Sequence, residues 1–273
     1  MTSVTQRRGG IMFAEERQLL IADLVNERGR VTVNDLASRF NITSETVRRD
    51  LDVLEKARQL RRVHGGAVAI ERMSLSEPSI QERQTQRLDE KSRIAQAALA
   101  MIPTSRTGSI ILDAGSTTEH LGDLLAEWSP PAPGDQLLVI TNALPIAWKL
   151  SNNLAIHLHV LGGRVRGLTS AIVGSDTIEQ LSALRPDIAF IGANGVSANF
   201  GLSTPDSVEA AVKSAIVRSA RRVVALADSS KLDEETLVCF AELTEIDTLI
   251  TDAPPSAELA AALVAADVEV VIA

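Results

Sequence analysis

Two groups of residues have the types and spacing to do chemistry. In the first, the hydroxyls of Thr43, Ser44 and Thr46 stand beside Arg48 and Arg49, and Arg61, Arg62, His64, Gly65 and Gly66 follow a short gap. Guanidinium groups and hydroxyls early in a helix can read base edges, arginine binding guanine O6 and N7 together. Basic residues on a following hairpin would meet phosphates or the minor groove. Solvated arginines on a helical bundle are the plainer alternative, and the helices alone would not separate the two readings.

The second group is Asp113-Ala114-Gly115-Ser116-Thr117-Thr118, placed after an apolar run and before a helical pattern. Free amides at a helix start, with Gly115 permitting close approach and three hydroxyls alongside, make an anion cradle. An ordinary capped strand-to-helix turn would read the same way. Further loops follow other apolar runs: Thr141-Asn142, Gly162-Gly163-Arg164, Gly192-Ala193-Asn194-Gly195 and Asp228-Ser229-Ser230-Lys231. Lys231 adds a cation suited to phosphate. Glu209 and Lys213, four apart, read either as a surface ion pair or as pocket residues.

These residues need elements to hold them. Ala14 to Glu27 has helical apolar spacing, and Gly29 stops it. A short second helix starts near Thr32 or Asn34, and Asn41 suits a left-handed turn. Thr43 then caps a third helix that buries Val47, Leu51 and Leu54. Two β-prone runs around Gly65-Gly66 form a wing. Residues 12–70 are thus expected to be an α+β winged helix-turn-helix, with Val31 to Asp50 as its core motif, and the polar, Pro78-containing segment 71–87 a linker. Residues 88–273 form an α/β domain, because short apolar runs alternate with helical stretches. Its strands are expected at Ser109–Leu112, Leu137–Ile140, Ile156–Leu161, Ile188–Gly192, Val223–Ala227, Thr248–Thr251 and Val268–Ile272, in a mostly parallel sheet. Helices are expected from Leu88 to before Pro103 and at Thr117–Glu127, Ala143–Leu150, Thr177–Leu184, Ser207–Ala220 and Ser256–Ala266. The ligand-binding loops belong at the C-terminal ends of such strands.

Charge is divided accordingly. Residues 1–70 hold 12 of the 27 Lys and Arg against 9 of the 35 Asp and Glu, a net of +3, and the remainder is net −11. Phosphate affinity depends on local charge, so an acidic total of −8 does not oppose a basic DNA-binding arm. Aromatics are only 3% and tyrosine is absent, which argues against a single-strand binder that stacks bases. The single cysteine, Cys239, lies in an apolar run and reads as a small core residue. No zinc-ligand spacing, signal peptide or membrane span is evident, and a cytoplasmic protein without cofactor is expected.

The chain resembles the DeoR family of bacterial repressors. The resemblance runs through Val31-Thr-Val-Asn-Asp-Leu-Ala37, Phe40, Thr46-Val-Arg-Arg-Asp-Leu51 and Arg62-Val-His-Gly-Gly-Ala67, joining a recognition helix to a His-Gly-Gly wing. Arg58 departs from the family's usual glycine. From about Ile80 onward the loops resemble the family's sensor domain, whose fold is similar to ribose-5-phosphate isomerase. That resemblance implies a phosphorylated-sugar effector, with Asp113, Gly115, Ser116, Thr117 and Thr118 holding phosphate and Asn142, Asn194, Lys213 and Lys231 lining the pocket. It implies a repressor of a sugar-catabolic operon, bound to double-stranded operator DNA as a homo-oligomer. A sugar-phosphate isomerase with Glu209 or Asp228 as base is the alternative, opposed by the amide and glycines of Gly192–Gly195 where the resemblance to the isomerase implies acidic residues. A protein-interaction adaptor leaves the Arg48-Arg49 face unexplained.

Overall fold

A computed structural model describes residues 14–28, 30–57, 59–63, 65–69, 79–102, 107–130, 132 and 135–273. Arg58 and His64 lie outside the described residues, as do residues 71–78 of the expected linker. The chain divides into two units, at Glu77 and Pro78.

The first unit is three helices and a small sheet: α1 (Ala14–Arg28), β1 (Arg30–Thr32), α2 (Val33–Phe40), α3 (Ser44–Lys56), β2 (Leu60–Val63) and β3 (Gly66–Ala69). Local chemistry sets each boundary. Thr32 caps α2 by accepting from the Asp35 N–H, and Asn41 ends it at φ 52°, ψ 50°. Thr43 caps α3 through the Thr46 N–H. Ile21, Val25, Leu36, Val47, Leu51 and Leu54 fill the core. Asp50 is also buried, accepting from Arg17 Nε at 2.7 Å and Gln18 Nε2 at 2.9 Å, which ties α1 to α3. The sheet is antiparallel in the order β1-β3-β2, and Gly66, expected in the wing turn, is paired with Val63 as the first residue of β3. Gly66 is a strand residue at which β1 comes so close that a Cβ would lie 2.0 Å from the Val31 oxygen.

The second unit opens with α4 (Ile80–Gln84) and α5 (Leu88–Leu99), followed by β4 (Thr107–Leu112), α6 (Ser116–Ala126), β5 (Gln136–Thr141), α7 (Leu144–Leu150), β6 (Ile156–Val160), β7 (Arg164–Arg166), β8 (Ala171–Val173), α8 (Ser175–Ser182) and β9 (Ile188–Gly192). It continues through β10 (Gly195–Ser197), β11 (Gly201–Thr204), α9 (Ser207–Ser219), β12 (Arg222–Leu226), β13 (Val238–Ala241), β14 (Thr248–Thr251), α10 (Ala257–Ala265) and β15 (Glu269–Ile272). All seven expected strands join one sheet in the order β15-β14-β12-β9-β4-β5-β6, with every neighbouring pair parallel. Helices α5, α6 and α7 pack on one face through Ile94, Leu121 and Ile146. On the other face α8, α9 and α10 pack through Leu181, Ile216 and Leu259. From β4 the chain winds first outward through β5 and β6, then back through β9. The β4–β9 junction is therefore where the strand order reverses, and such a reversal opens a crevice at the strand ends.

Part of the segment read as a linker is folded. Ser79 and Glu82 form a capping box that starts α4, and the Ile80 N–H donates to the Leu168 oxygen at 2.9 Å. Cys239 differs too: it is half-buried on β13, at the edge of the small antiparallel sheet β10-β11-β13.

Candidate functional site

In the first unit the third helix turns its arginines outward. Arg48 and Arg49 are exposed, with Glu45 3.8 and 3.6 Å from them, loose surface pairings worth little. Ser44 and Thr46 are half-buried at the start of α3, and the Thr43 and Thr46 hydroxyls lie 2.9 Å apart, so Thr43 serves the cap as well as the surface. Arg62 is held by Asp52, and its N–H donates to Glu55 Oε1 at 2.8 Å. Val33, Asn34, Arg48, Arg62, Gly65 and Gly66 line one groove between the recognition helix and the wing. Gly66 has a packing role there, given by its contact with β1, and Gly65 turns the chain at φ 80°. Arg61 is on β2 beside Arg62.

The second site lies at the crevice of the parallel sheet, within the second unit. A cleft open to solvent is bounded by the loops after β4, β9 and β12. Gly115, Ser116 and Thr117 form one wall at the start of α6, Asn194 and Lys213 another, and Asp228, Ser230 and Lys231 a third. The backbone of Gly115 is extended (φ 178°), and a Cβ would stand 3.1 Å from the Thr118 hydroxyl.

Three residues expected to touch the ligand serve the frame instead. Asp113 is buried behind the floor, paired with Lys213 Nζ and accepting from the Gly192 N–H at 3.3 Å. Burial pushes its carboxyl above the usual range, against the pull of Lys213. A carboxylate so placed positions the lysine and would repel phosphate. Asn142 accepts from the Ala114 N–H at 3.0 Å and donates to the Ile172 oxygen at 3.2 Å, which fixes the cradle loop. Thr118 is fully buried and donates to the Gly115 oxygen.

The fourth wall was hidden in the supposed linker. Arg83, Gln86, Arg87 and Lys91 line the cleft from α4, α5 and the joint between them. Their four-residue spacing, Arg83-Arg87-Lys91, is the signal that would have found them. Arg87, at φ 54°, donates to Ser229 Oγ at 2.7 Å and pairs with Asp228 at 3.1 Å and Asp252 at 3.3 Å. Burial raises Asp252, but hydrogen bonds from Ser229 and the charge of Arg87 outweigh it and hold its carboxyl below the ordinary range. Lys91 is 4% exposed and donates to the Arg83 oxygen. Burial lowers its pKa to about 8; Asp228 opposes that, while Lys231, Arg83 and Arg87 add to it. Such a group gains most when an anion arrives.

Glu209 and Lys213 are both buried, which sets aside the surface-pair reading. Lys213 turns to Asp113 and lies 5.5 Å from the Phe240 ring centre. Glu209 accepts from Thr169 and from Arg166 Nη1. Neither Glu209 nor Asp228, engaged by Arg87 and the Ser230 turn, stands ready as a proton-transfer base.

A winged helix-turn-helix and a cation-walled cleft in one chain define a ligand-sensing, DNA-binding regulator. The chain belongs to the DeoR family: its residues 17–73 match the DeoR-like helix-turn-helix domain and residues 86–253 the DeoR C terminal sensor domain. It is 36% identical to the lactose phosphotransferase system repressor of Staphylococcus epidermidis, over 85% of this chain and 89% of that protein. It is 30% identical to the glycerol-3-phosphate regulon repressor of Escherichia coli, over 92% of each. An uncharacterized regulator of Bacillus subtilis, FruR, is 33% identical over 89% of this chain and 92% of its own length. These relatives are regulators, not enzymes. Ribose 5-phosphate isomerase from Plasmodium falciparum is partly similar in structure, with 18% identity over 52% of each chain and a TM-score of 0.38. Among the described residues no helix is long and apolar enough to cross a membrane.

Proposed function

We propose that the chain is a repressor of a sugar-catabolic operon, acting in the cytoplasm as a homo-oligomer, whose operator affinity changes when a phosphorylated sugar occupies the cleft. Ser44, Thr46 and Arg48 would read bases, and Arg49, Arg61, Arg62 and His64 would hold the backbone. In the cleft, the amides and hydroxyls of Ser116 and Thr117 would receive the phosphate, with Arg83, Arg87, Lys91, Lys213 and Lys231 supplying positive charge. Asn194 and Glu209 offer acceptors for sugar hydroxyls. Residues 12–70 would then be the reading head and 88–273 the sensor, with α4 belonging functionally to the sensor.

The observation that carries this reading is the buried Lys91 facing an open cleft in an otherwise acidic body. Names of the relatives, which include lactose and glycerol-3-phosphate repressors, favour the same ligand class. A thermal-shift screen against phosphorylated and unphosphorylated sugars tests it, since a ligand of the folded state raises the melting temperature. A phosphorylated sugar should raise it and should alter operator binding in a mobility-shift assay. Stabilisation by neutral sugars alone would overturn the proposal.

A further inference from the structure

Strand β6 is the last in its sheet, and among the described residues no strand pairs with its outer edge. Exposed edges usually carry lysine, proline or a bulge that blocks further pairing. This one does not: residues 150–163 contain no Asp, Glu, Lys, Arg or Pro. The opposite edge is guarded differently, since β15 begins with Glu269 two residues after Asp267, and Arg222 pairs with Glu269 at 3.2 Å. The absence of any guard at β6 calls for an occupant.

The sequence of β6 says which occupant fits. Ile156-His157-Leu158-His159-Val160 reads nearly the same in both directions about Leu158. The Leu161 N–H donates inward to the Thr141 oxygen at 2.9 Å. Backbone groups alternate sides along a strand, so those of Leu158 and Val160 and the Ile156 carbonyl face outward, the Ile156 N–H being held by the Asn153 oxygen at 3.2 Å. We propose that two copies of this chain join through their β6 strands, antiparallel about a two-fold axis at Leu158. Leu158 then faces the partner subunit's Leu158, the pair exchanging two backbone hydrogen bonds, and each Val160 N–H donates to the oxygen of Ile156 of the partner subunit. His157 stands opposite the partner subunit's His159 on the other face, within direct side-chain reach. The same axis brings α7 of both copies to one side of the seam. That helix packs beside β6 and leaves Leu144 41% and Trp148 77% exposed one turn apart, the kind of aromatic anchor that interfaces bury. An isologous contact of this kind makes a closed dimer.

This inference deepens the oligomer proposed above and shares its premise that the protein is not a monomer. Light scattering on the full chain without DNA tests it, using two double variants at exposed positions. His157→Lys with His159→Lys sets like charges opposite each other across the seam and should halve the wild-type mass. His157→Lys with His159→Glu sets each lysine against a glutamate and should keep the wild-type mass. Far-ultraviolet circular dichroism identical to wild type shows that both variants fold. A wild type at the mass of one chain, an unchanged mass for the Lys/Lys variant, or dissociation of both variants would each overturn the seam. Loss of operator binding at unchanged mass would instead strike the regulator reading and leave the seam intact.

Discussion

Lys91 sits where a positive charge is hardest to keep without a partner. Its pKa of about 8 against an ordinary 10.5 means that the burial penalty is present in full below pH 8 and is relieved as pH rises toward 10.5. Ligand binding runs the other way, because phosphate needs the charged form. Phosphate esters are dianionic above about pH 6. Affinity should therefore be flat between roughly pH 7 and 8 and fall above 8, by at most tenfold per pH unit. Calorimetry in buffers of different ionisation heat should show proton uptake on binding near pH 8, and none in Lys91→Met. Equal affinity at pH 7 and 9.5 would remove Lys91 from the site. Arg48 makes a matching prediction in the reading head. It is exposed and only loosely paired with Glu45, so Arg48→Ala loses little folding stability. Operator binding should weaken by about 1–3 kcal/mol with relaxed sequence preference. Arg49→Ala should instead weaken all duplexes alike and reduce the salt slope. Competition assays at fixed salt distinguish the two.

Elements explain why some of this was legible in the sequence and some was not. Gly66 shows how a turn glycine can be misread: it is the first residue of β3, and it exists for the close approach of β1. Gly66→Ala should separate β1 from β3, costing on the order of 1–3 kcal/mol from overpacking. Operator binding should fall for every sequence, while the melting shift produced by ligand in the sensor stays unchanged. A variant that binds the operator normally would show that β1 can move aside without consequence. The central parallel strands were readable because each carries a continuous apolar run, as burial on both faces requires, whereas β6 at the edge alternates apolar residues with exposed histidines. Strands β7, β8, β10 and β11 were not, being only three or four residues long, while β13 showed in the apolar run around Cys239. Helix α4 did carry a signal, the Ser79-x-x-Glu82 capping box, but Pro78 and a polar composition outweighed it. The cationic wall was lost with it, because Arg83 and Lys91 sit on two helices and Arg87 in the left-handed joint between them. Asp113 and Asn142 were read as loop residues at the C-terminal ends of strands, which is where β4 and β5 place them. Their contact with ligand was not decidable from residue type, since only packing shows which side of the loop they face.

At the scale of the whole molecule, one chain carries a basic reader and an acidic sensor, and a shared chain makes their equilibria subject to linkage. If a phosphorylated sugar lowers operator affinity by some factor, the operator must lower sugar affinity by the same factor. The contacts to test for the sensor's end of that coupling are those of α4 and its joint with α5. Arg83 and Arg87 lie within ten residues of the boundary at Glu77, and Arg87 bridges to Ser229 and Asp252 far along the chain. A ligand that pulls on Arg87 competes with Asp228 and Asp252 for the same guanidinium. Arg87→Ala should therefore lose coupling as well as affinity: even at saturating sugar phosphate, operator affinity should differ less between ligand-free and ligand-bound protein than in wild type. Lys231→Ala, at the far wall, should need more ligand but reach the full wild-type change at saturation. Titrating operator at fixed saturating ligand, and ligand at saturating operator, gives the coupling factor twice for each variant. Agreement of the two factors, with a smaller value in Arg87→Ala alone, places the transmitting contact at this joint; equal reduction in both variants would mean that coupling follows occupancy of the cleft as a whole.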